Sequence, residues 1–341
     1  MLKIVILWLF KKIIFTEDLD KQYNYLFNNI TLNSSNDNMS KNNNCHSFCD
    51  SQIFNIPIHF YLPFINDAYY YNYKNNFTSF NYDNYTKIFF NDNYKINKII
   101  NLTKENNRKT VKMVQYNIQN NFNKVTILSI KGTSNKRDIL VDAQLYLPSL
   151  LLNILNIFSG LTQKNEVDSF ALIEYGFSLP YRLFFNFFMI EEYLNELKTV
   201  YEENSNLFYD NIIIVGHSLG GGLAKIFGKL IGKKSISLSG PGMKAFQNLW
   251  EYKGNSSNFD LTTVDIVPDS DPIPRVELSG GTIYRILCLK SPKECHNSEL
   301  SLCESLIICR NPNAREYCRK VALLKEEDID EIYKSTEFNE K

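Results

Sequence analysis

From about residue 124, the pattern of apolar and polar positions predicts strands that alternate with helices. An amphipathic pattern predicts a helix over Phe184–Asn204, and a second helix is predicted over Leu219–Ile231. Short apolar runs rich in β-branched residues predict buried strands at Val125–Ile130, Asn211–Val215, Ser235–Leu238 and Thr262–Val267. Such alternation is typical of a mostly parallel sheet with helices on its faces, and active groups then lie at the carboxyl ends of the strands.

The first 120 residues differ in character, because they are rich in Asn, Tyr, Phe and Lys. The tract Asn33–Asn44 is almost entirely polar and cannot bury enough apolar surface to fold, so we predict a disordered insertion there. The composition therefore predicts an Asn-rich N-terminal extension over residues 1–120, an α/β domain over 121–320 and a charged tail over 321–341.

The segment Met1–Phe15 contains an apolar run, Ile4–Phe10, with lysines on both sides. The run is too short to span a bilayer comfortably, and no small-residue cleavage site follows it. Two interpretations stay open, a signal or signal-anchor segment and an ordinary amphipathic first helix.

Charge argues against a polyanionic partner. Lys and Arg number 37 and so do Asp and Glu, which gives a net charge of zero. No overall field then attracts the protein to nucleic acid or to anionic lipid. Any affinity for a membrane or a lipid droplet must come from apolar surface.

The seven cysteines are unevenly distributed. Two of them, Cys45 and Cys49, lie early, and five crowd into residues 288–318. The cluster predicts a Cys-rich C-terminal loop held by disulfides in an oxidising compartment, although reduced thiols are the alternative and the connectivity stays open. Cys45, His46 and Cys49 have the spacing of half a zinc site, but no second half is evident and we predict no metal.

The run Gly216-His217-Ser218-Leu219-Gly220 fits a Gly-x-Ser-x-Gly elbow. A nucleophilic serine needs an exposed hydroxyl on a tight turn between strand and helix, where only small neighbours fit. A predicted strand precedes Ser218 and a predicted helix follows it, as this elbow requires. The alternative is a glycine-rich turn without catalysis.

Candidates for the base follow from the scarcity of histidine, since the chain has four. His217 is part of the elbow, and both His46 and His59 precede the first predicted strand. In hydrolases with this elbow the histidine follows the nucleophile and the acid along the chain. His296, between Cys295 and Asn297, is therefore the predicted base.

Three aspartates between the nucleophile and this histidine are candidates for the acid, namely Asp265, Asp269 and Asp271. Asp271 precedes Pro272-Ile273-Pro274 and lies in a rigid loop after a strand. Asp265 lies inside an apolar run, where we expect it to cap a turn. The triad order favours Asp271 as the residue that orients the histidine.

These motifs resemble those of the fungal-type (class 3) lipases and, more narrowly, the branch that contains the vacuolar autophagic lipase. Two departures stand out, because lysine replaces the arginine usual at residue 131 and only 25 positions separate the acid from the histidine. The matching pieces occur in order, and they are Lys131-Gly132-Thr133 with Asp138 and Asp142, Ile173–Phe177, Gly216–Ala224, Ser239–Gly242 and Asp271–Pro274.

The resemblance implies an α/β-hydrolase fold and hydrolysis of carboxylic esters of triacylglycerol or phospholipid, without a cofactor. It implies a triad of Ser218, Asp271 and His296, and an oxyanion hole built from the backbone amides of Thr133 and Leu219. A lipid-binding protein without catalysis and an esterase of soluble substrates are the rival functions.

The family has a mobile lid after the oxyanion strand, and Leu145–Phe158 occupies that place here. Most of its residues are Leu, Ile or Phe, so the segment is suited to cover the site in water and to turn towards a lipid surface. A core helix is the alternative. The expected partners are a lipid substrate and a membrane or lipid-droplet surface, and the expected location is the secretory pathway or a vacuole-like compartment.

Overall fold

The computed structural model of the chain describes residues 48–72, 77–78, 94–102, 112–132, 188–242, 262–275, 281–322 and 324–337. The sequence predictions that lie outside these residues keep their status as predictions, and they concern the oxyanion donor Thr133 and three segments. The segments are the apolar segment Met1–Phe15, the disordered tract Asn33–Asn44 and the lid segment Leu145–Phe158.

Eleven strands occur in the described parts of the chain. They are β1 (Gln52–Ile53), β2 (Ile56–Pro57), β3 (Tyr71–Asn72), β4 (Phe77–Thr78), β5 (Lys95–Asn101), β6 (Met113–Gln119), β7 (Lys124–Ile130), β8 (Asn211–His217), β9 (Lys234–Leu238), β10 (Thr263–Pro268) and β11 (Thr282–Ile286).

The helices surround these strands, and short 3₁₀ turns lie at Ile58–Tyr61, Ser205–Leu207 and Ile273–Arg275. None of the described helices is both long and apolar enough to cross a bilayer. The α-helices are α1 (Leu62–Tyr70), α2 (Phe188–Glu203), α3 (Leu219–Ile231), α4 (Pro292–Cys295), α5 (Ser298–Ile308), α6 (Ala314–Val321) and α7 (Glu326–Glu337).

The main sheet has the strand order β11-β10-β9-β8-β7-β6-β5. The five strands from β7 to β11 are parallel to one another, and β5 and β6 add an antiparallel edge. This arrangement confirms the predicted α/β-hydrolase fold with its mostly parallel sheet. Because β7 to β10 are parallel, their carboxyl ends share one edge of the sheet.

Apolar side chains cover both faces of the sheet, as β8 illustrates. Ile213 and Val215 point into the core cluster that α1 and α5 cover, whereas Ile212 and Ile214 point into the cluster beneath α2 and α3. A strand with both faces buried has no polar alternation. The continuous run Asn211–Val215 therefore predicted a strand correctly, with its end two residues short of the observed one.

Part of the predicted N-terminal extension contributes to this same sheet. Strands β5 and β6 both precede residue 121. Strand β6 pairs with β7, and β5 pairs with β6. Two polar side chains of β6 are buried, and both donate hydrogen bonds to the carbonyl of Leu207, Gln115 at 3.1 Å and Asn117 at 3.1 Å. Buried amides are tolerated when they are hydrogen-bonded, so a polar sequence forms an interior strand here.

Two disulfides lie in the described residues. Cys288–Cys295 closes the predicted C-terminal loop, and Cys49–Cys309 joins the start of the described chain to the end of α5. The predicted disulfide-held loop is confirmed. Disulfides are typical of proteins that fold in the secretory pathway.

The other cysteines bear on the half zinc site that the spacing of Cys45, His46 and Cys49 suggested. Cys303 and Cys318 are buried thiols, and Cys45 lies outside the described residues. Cys49 is in a disulfide, so it is not a thiolate ligand for zinc. Within the part of the chain that the structure describes, no group of three His, Cys, Asp or Glu side chains is placed to hold a metal.

Candidate active site

Ser218 lies at the carboxyl end of β8, on a sharp turn into α3. Its backbone has φ 56° and ψ −128°, a conformation that costs a non-glycine residue about 1–3 kcal/mol. The flanking glycines make the turn compact, because a Cβ on Gly216 would lie 2.2 Å from the carbonyl oxygen of Gly220. A Cβ on Gly220 would lie 2.2 Å from the carbonyl oxygen of Ile130. The sequence motif thus reflects a real close approach between β7, β8 and α3.

The helix after Ser218 provides one of the two predicted oxyanion donors. Leu219 is the first residue of α3, and an N–H in the first turn of a helix has no carbonyl partner inside that helix. The positive end of the helix dipole also lies here. Thr133, the other predicted donor, lies outside the described residues and stays a prediction.

His296 is held between two helix caps. Ser291 and Glu294 form a capping box on α4, and His296 is the residue at the C-terminal end of this short helix. The side chain of Asn297 then caps α5 by accepting the N–H of Glu299 at 2.8 Å. The disulfide of Cys295 with Cys288 restrains the residue directly before His296. The local chain geometry therefore restrains the backbone of His296.

The structure brings the three predicted triad residues together. The Oγ of Ser218 lies 2.9 Å from Nε2 of His296, and Nδ1 of His296 lies 3.0 Å and 3.2 Å from the two carboxylate oxygens of Asp271. A carboxylate only accepts hydrogen bonds, so Nδ1 carries the proton in the neutral ring. Nε2 is then an acceptor for the serine hydroxyl, which is the arrangement a general base needs.

Asp271 is fully buried in the loop after β10, and Oδ1 also accepts the N–H of Ile273 at 2.9 Å. Asp269 lies nearer solvent in the same loop. The expectation that Asp265 caps a turn is wrong. Asp265 lies within β10, and its carboxylate pairs with the ammonium of Lys225 at 2.8 Å.

Behind His296 lies a second histidine, His217 of the elbow. Its Nε2 donates a hydrogen bond to the backbone carbonyl of His296 at 2.9 Å, and Nδ1 accepts one from the hydroxyl of Tyr69 at 2.9 Å. Burial, together with the nearby His296 ring, lowers the pKa of His217 well below 6.5. A neutral ring has one donor and one acceptor, which these two partners satisfy. His217 and Tyr69 thus hold the backbone of the catalytic candidate.

The sequence did not predict that Tyr69 and His217 support His296. Tyr69 lies in the run Tyr69-Tyr70-Tyr71 of an aromatic-rich region, where no pattern distinguishes it from its neighbours. His217 did carry a signal, because a polar residue at the end of a buried strand needs hydrogen-bond partners. Its position beside Ser218 indicated that the partners would belong to the site.

Removing the Cys288–Cys295 disulfide is expected to reduce both the stability of the protein and its activity. Replacing both cysteines by serine opens a short loop, which costs about 2–3 kcal/mol, and misplaces His296 enough to lower kcat about 10- to 100-fold. Thermal unfolding and ester hydrolysis at 25 °C measure the two effects. The matched control removes Cys49–Cys309 instead, which is expected to lower Tm and to leave kcat nearly unchanged. Equal kcat in both variants would refute the positioning role.

Acid is expected to destabilise the fold through its buried histidines. Burial lowers the pKa of His59 to about 4, and the pKa of His217 is lowered as well. In the unfolded chain both titrate near 6.5, so the unfolded state binds more protons below that pH. The free energy of unfolding should therefore be highest above pH 6.5 and fall towards pH 4, by at most about 3 kcal/mol for His59. Denaturant unfolding at several pH values measures this free energy. If a His59→Asn variant showed the same dependence of the free energy of unfolding on pH as the wild type, the role of His59 would be contradicted.

Comparison with known proteins gives a family match over part of the chain and a set of similar solved structures. Residues 127–279 match the family model Lipase (class 3). The chain is 18% identical to the Lip2 lipase of Yarrowia lipolytica, over 67% of this chain and 76% of that one, with a TM-score of 0.31. It is 14% identical to MDLA of Penicillium cyclopium, over 64% and 72% of the two chains, with a TM-score of 0.30. No curated protein matches the sequence. The matched residues include Ser218 and Asp271, and residues 127–279 of this chain are thus similar to the class 3 lipases.

Proposed function

We propose that the protein hydrolyses carboxylic esters of lipids, triacylglycerol or phospholipid, through an acyl-enzyme on Ser218. The observation that carries the proposal is the continuous hydrogen-bonded chain from Ser218 through His296 to Asp271, with contacts of 2.9 Å and 3.0 Å. Three side chains from separate loops meet in the order that nucleophilic catalysis needs.

In the first half-reaction, Oγ of Ser218 attacks the ester carbonyl while Nε2 of His296 takes the hydroxyl proton. Asp271 accepts the Nδ1 proton in a hydrogen bond and stabilises the imidazolium that forms. The backbone N–H of Leu219, together with that of Thr133 by analogy with the family, binds the oxyanion. The carbon–oxygen bond to the alcohol then breaks, and His296 gives its proton to the leaving alcohol.

In the second half-reaction, water attacks the acyl-enzyme. His296 takes a proton from the water and returns it to Oγ of Ser218 as the fatty acid leaves. The products are one alcohol and one carboxylic acid, so no cofactor enters the balance.

The proposed setting is a lipid surface within the secretory route. Two disulfides support an oxidising compartment, and a vacuole-like compartment is the narrower proposal. The apolar segment Leu145–Phe158 supports a membrane or a lipid droplet as the partner. A rate that rises abruptly when the substrate forms droplets would support this partner, and smooth saturation through that concentration would oppose it.

A fluorophosphonate probe with mass spectrometry tests the proposed nucleophile. The probe is expected to modify Ser218 and to do so far more slowly in a His296→Asn variant, because the hydroxyl then lacks its base. Emulsions of triolein and of phosphatidylcholine, assayed in parallel, test the substrate class. Folded protein that neither reacts with the probe nor releases fatty acid would favour the rival, a lipid-binding protein without catalysis.

A further inference from the structure

A polar cavity of about 320 Å³ lies beside His296, on the side of α1 and the start of α5. Its walls include Asn66 and Tyr69 of α1, Lys293 of α4 and Ser298 of α5, and His296 itself. All these side chains carry a hydrogen-bonding group. A fatty acyl chain requires a wall of apolar side chains instead. The cavity is therefore suited to the other part of an ester, the alcohol, which leaves with the proton from His296.

Asn66 gives this cavity a specific feature. Its side chain is 1% exposed, and its Oδ1 accepts a hydrogen bond from the hydroxyl of Ser298 at 2.8 Å. Its Nδ2 has no hydrogen-bond partner among the residues that the structure describes. A buried donor without an acceptor destabilises the fold, so the protein gains when a ligand supplies an oxygen here.

Charges of both signs lie at the mouth of the same cavity. Lys293 is exposed and supplies an ammonium group, and Glu299 is partly buried and supplies a carboxyl group. Burial raises the pKa of Glu299, so this carboxyl group loses its charge more readily than a solvated one. The mouth therefore has donors and acceptors but no strong field of one sign, which fits a hydroxyl-bearing or zwitterionic group better than a simple anion.

We propose that this cavity is the subsite for a polar alcohol part of the ester, in which Asn66 Nδ2 donates a hydrogen bond to an oxygen of that alcohol. The shared chemistry is an oxygen acceptor next to the scissile ester, which a glycerol hydroxyl and a phosphate oxygen both offer. This inference rests on the proposed ester hydrolysis and adds a substrate preference to it. The enzyme is then selective for esters with an oxygen-rich leaving group.

The test compares leaving groups with a constant acyl chain. The substrates are 1-butyryl glycerol, dibutyryl phosphatidylcholine and p-nitrophenyl butyrate. The aromatic alcohol of the last has no oxygen next to the ester, because its nitro group lies at the far end of the ring. In Asn66→Asp and Asn66→Leu, kcat/KM for a glycerol-based ester is expected to fall about tenfold, whereas kcat/KM for p-nitrophenyl butyrate stays unchanged. A fall confined to the glyceride identifies a hydroxyl acceptor, and a fall confined to the phospholipid identifies a phosphate oxygen.

A matched control comes from the next residue of α1. Asp67 is equally buried, but it does not line the cavity, and its carboxylate accepts a hydrogen bond from Tyr116 at 2.7 Å. Asp67→Asn is expected to preserve the ratio of kcat/KM values between substrates. Equal losses on all substrates in the Asn66 variants, or no loss on any, would overturn the subsite and leave ester hydrolysis standing. Wild-type protein inactive on p-nitrophenyl butyrate and on both glycerol-based esters would overturn both proposals.

Discussion

Replacing Ser218 by alanine is expected to lower kcat for an ester about 10⁴- to 10⁶-fold while the protein stays folded. Alanine keeps the shape of the elbow but removes the oxygen that lies 2.9 Å from Nε2 of His296. The measurement is hydrolysis of p-nitrophenyl butyrate, with circular dichroism to verify the fold. Unchanged turnover in this variant would show that another group is the nucleophile.

The backbone at Ser218 adds a second readout, the stability of a glycine variant relative to the alanine variant. With φ 56° and ψ −128°, alanine retains the conformational cost that serine has, whereas glycine relieves it. Glycine also raises the entropy of the unfolded chain, which offsets about 0.4–1 kcal/mol. Ser218→Gly is therefore expected to be inactive and about 1 kcal/mol more stable than Ser218→Ala.

Denaturant unfolding compares these two variants, and Ser239 supplies the control. Ser239 follows β9, the next strand of the sheet, and also has a positive φ of 53°. It has no hydrogen bond to His296 among the contacts described, so Ser239→Ala is expected to remain active. A glycine variant less stable than the alanine variant would mean that the elbow stores no strain.

The elements that the sequence predicted are those whose local signal agrees with their tertiary role. The helix over Leu219–Ile231 is observed with the same bounds, because a glycine elbow starts it and Gly232, with φ 66°, ends it. Strand β7 is buried on both faces and is correspondingly apolar. The triad candidates followed from elimination, since few histidines were available to serve Ser218.

The features that the sequence did not predict depend on partners distant in the chain. The sequence of strand β6 resembled part of a polar extension. Inside the sheet, however, the side chain of Asn117 accepts a hydrogen bond from the hydroxyl of Thr126 in β7 at 2.9 Å. Tyr69 reaches His217 across 148 positions, and Cys49 reaches Cys309 across 260. No local pattern encodes contacts of such separation, because register and topology must be known first.

Removing either partner of the buried Lys225–Asp265 ion pair is expected to have the largest effect on stability. The ammonium lies 2.8 Å and 3.0 Å from the two carboxylate oxygens, and the side chains are 0% and 2% exposed. Lys225→Met or Asp265→Asn leaves a charge buried without its counter-charge, which costs about 3–5 kcal/mol. Unfolding in guanidinium chloride measures each loss.

The double variant Lys225→Met with Asp265→Leu removes both charges at once. It therefore separates the attraction between the two charges from the cost of burying them. Two apolar side chains of similar size replace the pair, so its stability is expected to recover most of the loss seen in the single variants. The exposed pair Lys198–Glu202 is the control, with atoms 3.8 Å apart and side chains 50% and 63% exposed. Breaking that pair is expected to cost at most about 0.5 kcal/mol. Additive losses in the buried double variant would contradict the coupling.

The position of the buried pair links stability to the site. Lys225 lies on α3, whose first turn follows Ser218, and Asp265 lies on β10, the strand that leads into the loop of Asp271. The pair thus joins the element that carries the nucleophile to the element that carries the acid. We therefore expect the single variants to lose kcat even at temperatures where they remain folded, because a displacement of α3 relative to β10 lengthens the path from Ser218 through His296 to Asp271. The double variant, with its packing restored, should regain stability and kcat together, and recovery of stability without kcat would show that the charges themselves act on the triad.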